Sequence, residues 1–245
     1  MERKLFNSKW LLCALIVLYL MSAAAQAHRR SYVWSQEYHT QGKGEVEIEY
    51  VMTTKIADLH KFDDRNSWEY QAELEYGLTD HFQVAAYQRA QHTHDSTRNG
   101  DFDYTGSKFE VKYRIAEKGQ LPIDTTLYVE YVHGEGPSDT DKMEYKLILS
   151  KDIDQFNFTY NQIIEDAVAE GEDTAHEYST GVFYEVNPTW HLGIESAGNY
   201  TSDSYRLGPT ISYATEAFWL TVGVVRALTD HGDDFRGRLI LGIPF

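Results

Sequence analysis

Apolar and polar residues alternate at every second position through most of the chain after Gly44. At the carboxyl end, for example, Leu239, Leu241 and Ile243 share one parity, while Arg236 and Arg238 share the other. Successive side chains of a β-strand point to opposite faces, so this alternation predicts strands with one apolar and one polar face. Helical periodicity appears over no useful length. The pattern therefore predicts an all-β fold.

Twelve segments carry the alternation, and most are near ten residues, the length that a tilted strand needs to cross a bilayer. Short turns alternate with longer polar loops between them, which is typical of barrels that span an outer membrane. The sequence predicts a transmembrane antiparallel up-and-down β-barrel of about twelve strands, with both termini on the short-turn side. The longer loops are 55–66, 91–103 and 167–174. The predicted strands are 45–54, 67–76, 81–92, 104–116, 125–135, 142–150, 155–166, 175–187, 190–200, 204–214, 218–228 and 234–245.

Aromatic residues cluster beside the short connections, on the apolar parity of their strands. Aromatic rings favour the boundary between membrane and water, so this placement predicts the inner aromatic girdle of a barrel. The residues are Tyr76, Phe82, Tyr113, Phe156, Tyr184, Trp190, Tyr213, Phe218 and Phe245.

The first 27 residues have the three parts of a secretory signal peptide. Basic residues precede an apolar run over 11–21, and Ala25-Gln26-Ala27 follows as a cleavage site. The run is short for a membrane anchor, which is the alternative interpretation. We expect residues 1–27 to be a cleaved signal peptide, 28–44 a periplasmic or lumenal segment, and 45–245 the barrel. Residues 31–40 have strand-like composition, but single-chain bacterial barrels favour even strand numbers.

The charge balance excludes one large class of partner. The chain has 22 basic and 38 acidic residues, a formal net charge of −16, whereas nucleic-acid-binding proteins present a basic surface. Its one cysteine, Cys13, lies in the signal peptide, so the mature chain forms no disulfide. No motif indicates a cofactor.

Charged residues on the polar parity are predicted to line the barrel lumen. Twelve acids face eight bases, which favours a passage for cations or neutral polar solutes. The alternative is a charge-paired interior that fills the barrel. Closure of the barrel is expected to bring Arg236 and Arg238 to the first strand's glutamates. The predicted lumen-lining residues are Glu45, Glu47, Glu49, Glu69, Glu73, Glu75, Arg89, Lys108, Glu110, Lys112, Arg114, Glu130, Glu144, Lys146, Glu177, Glu185, Glu195, Arg206, Arg236 and Arg238.

Two further patterns bear on metal binding and catalysis. His92 and His94 lie two positions apart, so a strand would place both imidazoles on one side as a weak transition-metal pair. The chain lacks Gly-x-Ser-x-Gly, and no serine and histidine share a recognisable motif. We therefore expect no enzyme, with a lipid-modifying barrel enzyme as the remote alternative.

The carboxyl end resembles the assembly signal of bacterial outer-membrane proteins. It is an alternating strand that ends on an aromatic residue, through Leu239, Leu241, Ile243 and Phe245, although Pro244 departs from the usual pattern. This resemblance implies recognition by the barrel-assembly machinery. The hairpin over 74–84 is similar to one in envelope barrels grouped with transporters of the phenol-degradation-pathway type, which implies a channel-like role.

These observations predict an outer-membrane channel or transporter, porin-like, in a Gram-negative bacterium. Its partners would be the outer-membrane lipid bilayer, the assembly machinery and an unidentified small polar or cationic solute. The alternative is a structural barrel, or one that binds through its loops, without an open pore.

Overall fold

The computed structural model describes residues 29–61, 65–95, 98–135, 140–169 and 174–245, so the predicted signal peptide lies outside the described residues. The described residues form twelve strands, and the all-β prediction is confirmed. Their bounds are β1 Val46–Ile56, β2 Arg65–Thr79, β3 Phe82–Asp95, β4 Arg98–Arg114, β5 Asp124–Gly134, β6 Lys142–Ile153, β7 Phe156–Ala167, β8 Ala175–Asn187, β9 Trp190–Asn199, β10 Ser204–Ala214, β11 Trp219–Ala227 and β12 Phe235–Pro244.

Each strand pairs antiparallel with its neighbours in the sequence, and β1 pairs with β12 to close the barrel. The closing register places Tyr50 opposite Leu241 and Val51 opposite Ile240. Closure leaves no strand edge unpaired, which hydrocarbon requires because it offers no hydrogen bonds to a free edge. Within the described residues, no helix is long and apolar enough to cross a membrane.

The apolar parity faces outward, as the alternation predicts. Rings of the predicted girdle meet in contiguous pairs at the short-turn rim. The ring centroids of Phe156 and Tyr184 are 5.1 Å apart, and those of Trp190 and Tyr213 are 4.7 Å apart. Tyr213 also lies 6.0 Å from Phe218. These pairs form an aromatic belt at the short-turn rim, and aromatic rings favour such a position in barrels where the bilayer meets water.

The strands on the long-loop side extend further than the alternation indicates. β3 continues to Asp95 and β4 begins at Arg98, so most of the predicted loop over 91–103 is paired strand. Two β-bulges interrupt the pairing of these strands. Polar residues on both parities hide a strand from a pattern search, although the backbone ladder continues. The predicted loop was too long for this reason.

The closing register also corrects one predicted contact. Arg236 lies opposite Lys55, and Arg238 lies opposite Thr53. In an antiparallel pair the beginning of β12 meets the end of β1, whereas the glutamates lie at the beginning of β1 or just before it. The predicted contact between these arginines and the glutamates of β1 is therefore wrong.

Candidate functional site

The N-terminal segment comprises residues 29–44 and forms no strand. Residues 31–41 lie inside the barrel, and residues 42–44 form a turn at its rim. Most side chains from Ser31 to Gln41 are buried. The segment makes hydrogen bonds to inward-facing residues of strands on opposite walls, including β5, β7, β9 and β12. It therefore occupies the lumen.

Glu195 on β9 is the main attachment point of the N-terminal segment. Its carboxylate accepts hydrogen bonds from three successive backbone amides, those of Val33 at 2.8 Å, Trp34 at 2.8 Å and Ser35 at 2.9 Å. The hydroxyl of Thr210 donates a fourth at 2.6 Å. Buried amides that lack a β ladder need such acceptors, so one carboxylate satisfies three donors of the segment.

Strands β7 and β5, on the same side of the barrel as β9, bind the next part of the segment. The side chain of Asn161 accepts a hydrogen bond from the amide of Gln36 at 2.6 Å and donates one to its carbonyl at 3.0 Å. The hydroxyl of Thr159 donates to the same carbonyl at 3.0 Å. Thr126 donates to the carbonyl of Tyr38 at 2.6 Å. Inward polar side chains thus replace the backbone partners of a sheet.

Two inward-facing glycines leave room for side chains of the segment. A Cβ at Gly181 would lie 2.5 Å from the ring of Tyr32, and a Cβ at Gly223 would lie 2.4 Å from a methyl of Val33. The hydroxyl of Tyr32 also donates to the side chain of Asn157 at 2.8 Å. With any larger residue at either glycine, the segment or the strand would have to shift. The wall is therefore shaped to fit this peptide.

Arginines attach both sides of the segment to the barrel. Arg238 donates to the carbonyl of Val33 and to the hydroxyl of Thr53, each at 2.9 Å, and its guanidinium lies 4.2 Å from the ring centroid of Trp34. Arg30 of the segment forms an ion pair with Glu49 at 3.0 Å. Arg238 therefore binds the segment, whereas the sequence indicated only a lumenal charge.

Glu37 is a buried carboxylate within the segment. It accepts a hydrogen bond from the amide of Ser31 at 2.8 Å. Burial raises the pKa of Glu37 to about 7, although the Ser31 amide and the nearby Arg30 and Arg29 act in the opposite direction. Its charge therefore changes near neutral pH.

Above the segment the lumen holds a cavity of 490 Å³, here called the outer cavity. Arg30, Trp34 and Gln36 line part of it. Lys108 pairs with Glu130 at 2.8 Å, and Lys146 pairs with Glu144 at 2.6 Å. The remaining charged strand residues of its lining are Glu73, Glu177, Arg206, Arg236 and Arg238. Carboxylates and lysines occupy the β2–β8 side, whereas the arginines lie on β10 and β12.

Three predicted lumen residues lie at the short-turn rim. Glu45 precedes β1 and accepts a hydrogen bond from the amide of Gly42 at 2.8 Å. Arg114 pairs with Glu117 at 3.0 Å, and the half-exposed Glu185 lies 3.7 Å from His191. These residues border the lumen without lining its cavities.

The remaining predicted residues occupy inward-facing strand positions at three depths. Lys55 pairs with Glu69 beside a second cavity of 260 Å³ near the longer loops. Arg89 lies opposite Gln71, which lines the outer cavity. A deeper group is almost fully buried between the segment and the wall, and it comprises Glu47, Glu49, Glu75, Glu110 and Lys112.

His92 and His94 lie on the outward parity of β3, near its loop end. Neither belongs to a group of three metal-ligating residues among the described parts of the chain.

The residues that resemble an assembly signal lie at the end of the chain and are partly buried. They are Leu239, Leu241, Ile243 and Phe245. The amide of Phe245 donates to the carbonyl of Val46 at 2.8 Å.

Some inward-facing residues are apolar, and they are absent from the predicted set of lumen residues. Trp219, Val51 and Ile240 form a small core with Val33 of the segment. A Cβ at Gly242 would lie 2.0 Å from the Trp219 ring, so that glycine makes the space. β11 has apolar residues on both parities, which indicates burial on both faces and was the available signal.

Comparison with solved structures places this architecture among outer-membrane barrels. The COG4313 outer membrane channel from Pseudomonas putida has a TM-score of 0.68 and 13% identity, covering 87% of this chain and 100% of that one. The KdgM porin has a TM-score of 0.59 and 11% identity, covering 81% and 99%. The NanC porin has a TM-score of 0.52 and 11% identity, covering 82% and 98%. At such identities the likeness shows the fold alone.

No curated protein sequence matches this chain significantly. A family model described as a family of unknown function, DUF6662, matches residues 24–240, which is most of the chain and spans the N-terminal segment together with the barrel. The chain therefore belongs to this family of unknown function.

Proposed function

We propose that this protein is an outer-membrane channel for small polar or cationic solutes, closed at rest by its own N-terminal segment. It would be exported, cleaved after Ala27 and inserted through its terminal strand. The observation that supports this proposal is the charged outer cavity of 490 Å³, whose inner end is covered by a peptide rather than by the wall. A solute that enters the cavity meets a removable obstacle.

Charge along the lumen supports a preference for cations only at the depth of the buried glutamates. The outer cavity carries both signs and suits polar or zwitterionic solutes. Deeper, the buried group of glutamates exceeds its basic neighbours Arg30 and Lys112. A narrow passage lined by carboxylates favours cations, so we place the selectivity there rather than along the whole lumen.

The test compares the full mature protein with a variant lacking residues 28–41, which keeps the rim turn at Gly42–Glu45. In planar bilayers the full protein should conduct weakly or intermittently. The truncated barrel should conduct continuously and prefer cations. In that background Glu73→Gln should lower the cation preference, whereas Glu177→Gln, higher in the cavity, should change it little. A folded truncated barrel without conductance would contradict the channel.

The many hydrogen bonds of the segment favour a second candidate, a barrel without an open pore that acts structurally or through its loops. That role predicts no conductance from either form. We propose no enzymatic activity, since no nucleophile and base were recognised together in the sequence, and the structural relatives reported above are described as channels or porins.

A further inference from the structure

Five glutamates from strands β1, β2 and β4 converge between the N-terminal segment and the wall. Ligand oxygens of Glu47, Glu49 and Glu75 lie within 4.8 Å of one another, and so do those of Glu73, Glu75 and Glu110. All five side chains are buried. Because Glu75 belongs to both groups, the five are called the Glu75 cluster.

The cluster holds more negative charge than its neighbours neutralise. Arg30 lies 3.0 Å from Glu49. Lys112 lies 3.0 Å from Glu110 and 3.7 Å from Glu75. Two cations therefore face five carboxylates. Burying unmatched charges of one sign is costly, so the cluster requires a further positive charge, supplied by an ion or by protons.

Glu73 gives the second and independent indication of a ligand. Its side chain is only 2% exposed, yet neither carboxylate oxygen accepts a hydrogen bond in the described structure. Both carboxylate oxygens of Glu47 likewise accept no hydrogen bond in the described structure. In contrast, Gln41 donates to Glu75 at 2.8 Å, and the Tyr87 hydroxyl donates to Glu110. A buried carboxylate without a donor, directed into a group of carboxylates, is suited to coordinate a cation.

The cluster also has access and room. Glu73 lines the outer cavity, and Glu49 and Glu75 line a smaller cavity of 30 Å³ on the side of the segment. A cavity of that size holds about one or two water-sized species. An ion can therefore reach the carboxylates from the outer cavity. The smaller cavity leaves little space for the hydration shell of that ion.

We propose that the Glu75 cluster binds a hard divalent cation, Ca²⁺ in preference to Mg²⁺, with Glu75 as its central ligand. Ca²⁺ accepts six to eight oxygens at about 2.3–2.6 Å, so opposite ligands lie up to roughly 5 Å apart, compatible with the spacing in the cluster. Mg²⁺ usually retains several waters, for which this site has little space. The site goes beyond the proposed conduction, because it binds whether or not solutes pass.

The experiment uses the full mature protein folded in detergent, stripped of cations with a chelator at pH 8. Calorimetric titration with CaCl₂ should show one tight site, and Ca²⁺ should raise the unfolding temperature. MgCl₂ should bind at least tenfold more weakly. Glu75→Gln and Glu73→Gln should each weaken Ca²⁺ binding by tenfold or more. Glu144→Gln, a lumenal carboxylate paired with Lys146 outside the cluster, is the matched control and should bind as the wild type does.

Two results would overturn the proposal. Ca²⁺ binding that is unchanged by Glu73→Gln would place the ion outside the Glu75 cluster. Absence of any Ca²⁺ or Mg²⁺ effect, together with a more stable Glu73→Gln barrel, would show that protons neutralise the cluster. Glu73 accepts no hydrogen bond, so its glutamine variant should fold even where Glu75→Gln does not. Binding and unfolding are measured without conductance, so failure of the cation site is distinguishable from failure of the channel.

Discussion

Replacing Glu195 with alanine should release the N-terminal segment from the barrel wall. The carboxylate accepts hydrogen bonds from the amides of Val33, Trp34 and Ser35, all at 2.8–2.9 Å. A hydrogen bond to a charged group contributes about 1.5–3 kcal/mol, and bonds to one acceptor are not additive. Counting two of the three at the lower value gives about 3 kcal/mol. The equilibrium between bound and released segment should then shift roughly a hundredfold toward release.

Thiol labelling measures this release directly. Cys13 is the only cysteine and lies in the predicted signal peptide, so Ser35→Cys provides a unique thiol in the mature chain. Ser35 is 1% exposed, so a thiol there reacts only when the segment leaves the wall. The labelling rate should rise about a hundredfold in Glu195→Ala, and channel openings should become more frequent.

The control is Glu177→Ala, also inward-facing. Glu177 accepts a hydrogen bond from Asn199 at 2.7 Å and has no hydrogen bond or ion pair to the segment among the contacts of the described residues. Its labelling rate should equal that of the parent. The role assigned to Glu195 would be refuted if the Glu195→Ala barrel were labelled at the same rate as the parent. Its gel migration must still change on heating, which shows that the barrel is folded.

Three other changes test the segment and the barrel. Gly223→Leu should also accelerate labelling, since its side chain would overlap Val33. An unaltered rate would mean that the space left by this glycine is not needed for binding of the segment. Folded Glu37 has a pKa of about 7, above its ordinary value, so it holds extra protons between about pH 4.5 and 7 and its contribution to segment binding falls as pH rises through that range. After correction for thiolate content, thiol labelling of the parent should therefore be slower at pH 5 than at pH 8. The difference between the two pH values should be smaller in Glu37→Gln, and an equal difference in both proteins would contradict this. Deleting Phe245 should reduce outer-membrane insertion in fractionated cells, and normal levels would show that the terminal residue is not the assembly signal.

The alternation of side chains by itself determined the barrel. The twelve strands and their apolar outward parity follow from a period of two, which each strand carries separately. The aromatic belt follows from the rings placed beside the short connections. Strand ends near the longer loops were less accurate, as β4 shows by beginning at Arg98 rather than at 104. Where both faces meet water, neither parity is constrained, although the ladder persists.

Only the tertiary structure decided what fills the lumen. Glu195, Glu73 and Arg238 look alike in the sequence, as charges on the polar parity. In the barrel Glu195 binds backbone amides, Glu73 lies in a carboxylate cluster, and Arg238 contacts Trp34. These roles depend on register and on which residues face each other across the lumen. The contacts of Glu195 and Arg238 with the segment join positions more than 150 residues apart, and no local pattern along the chain encodes them.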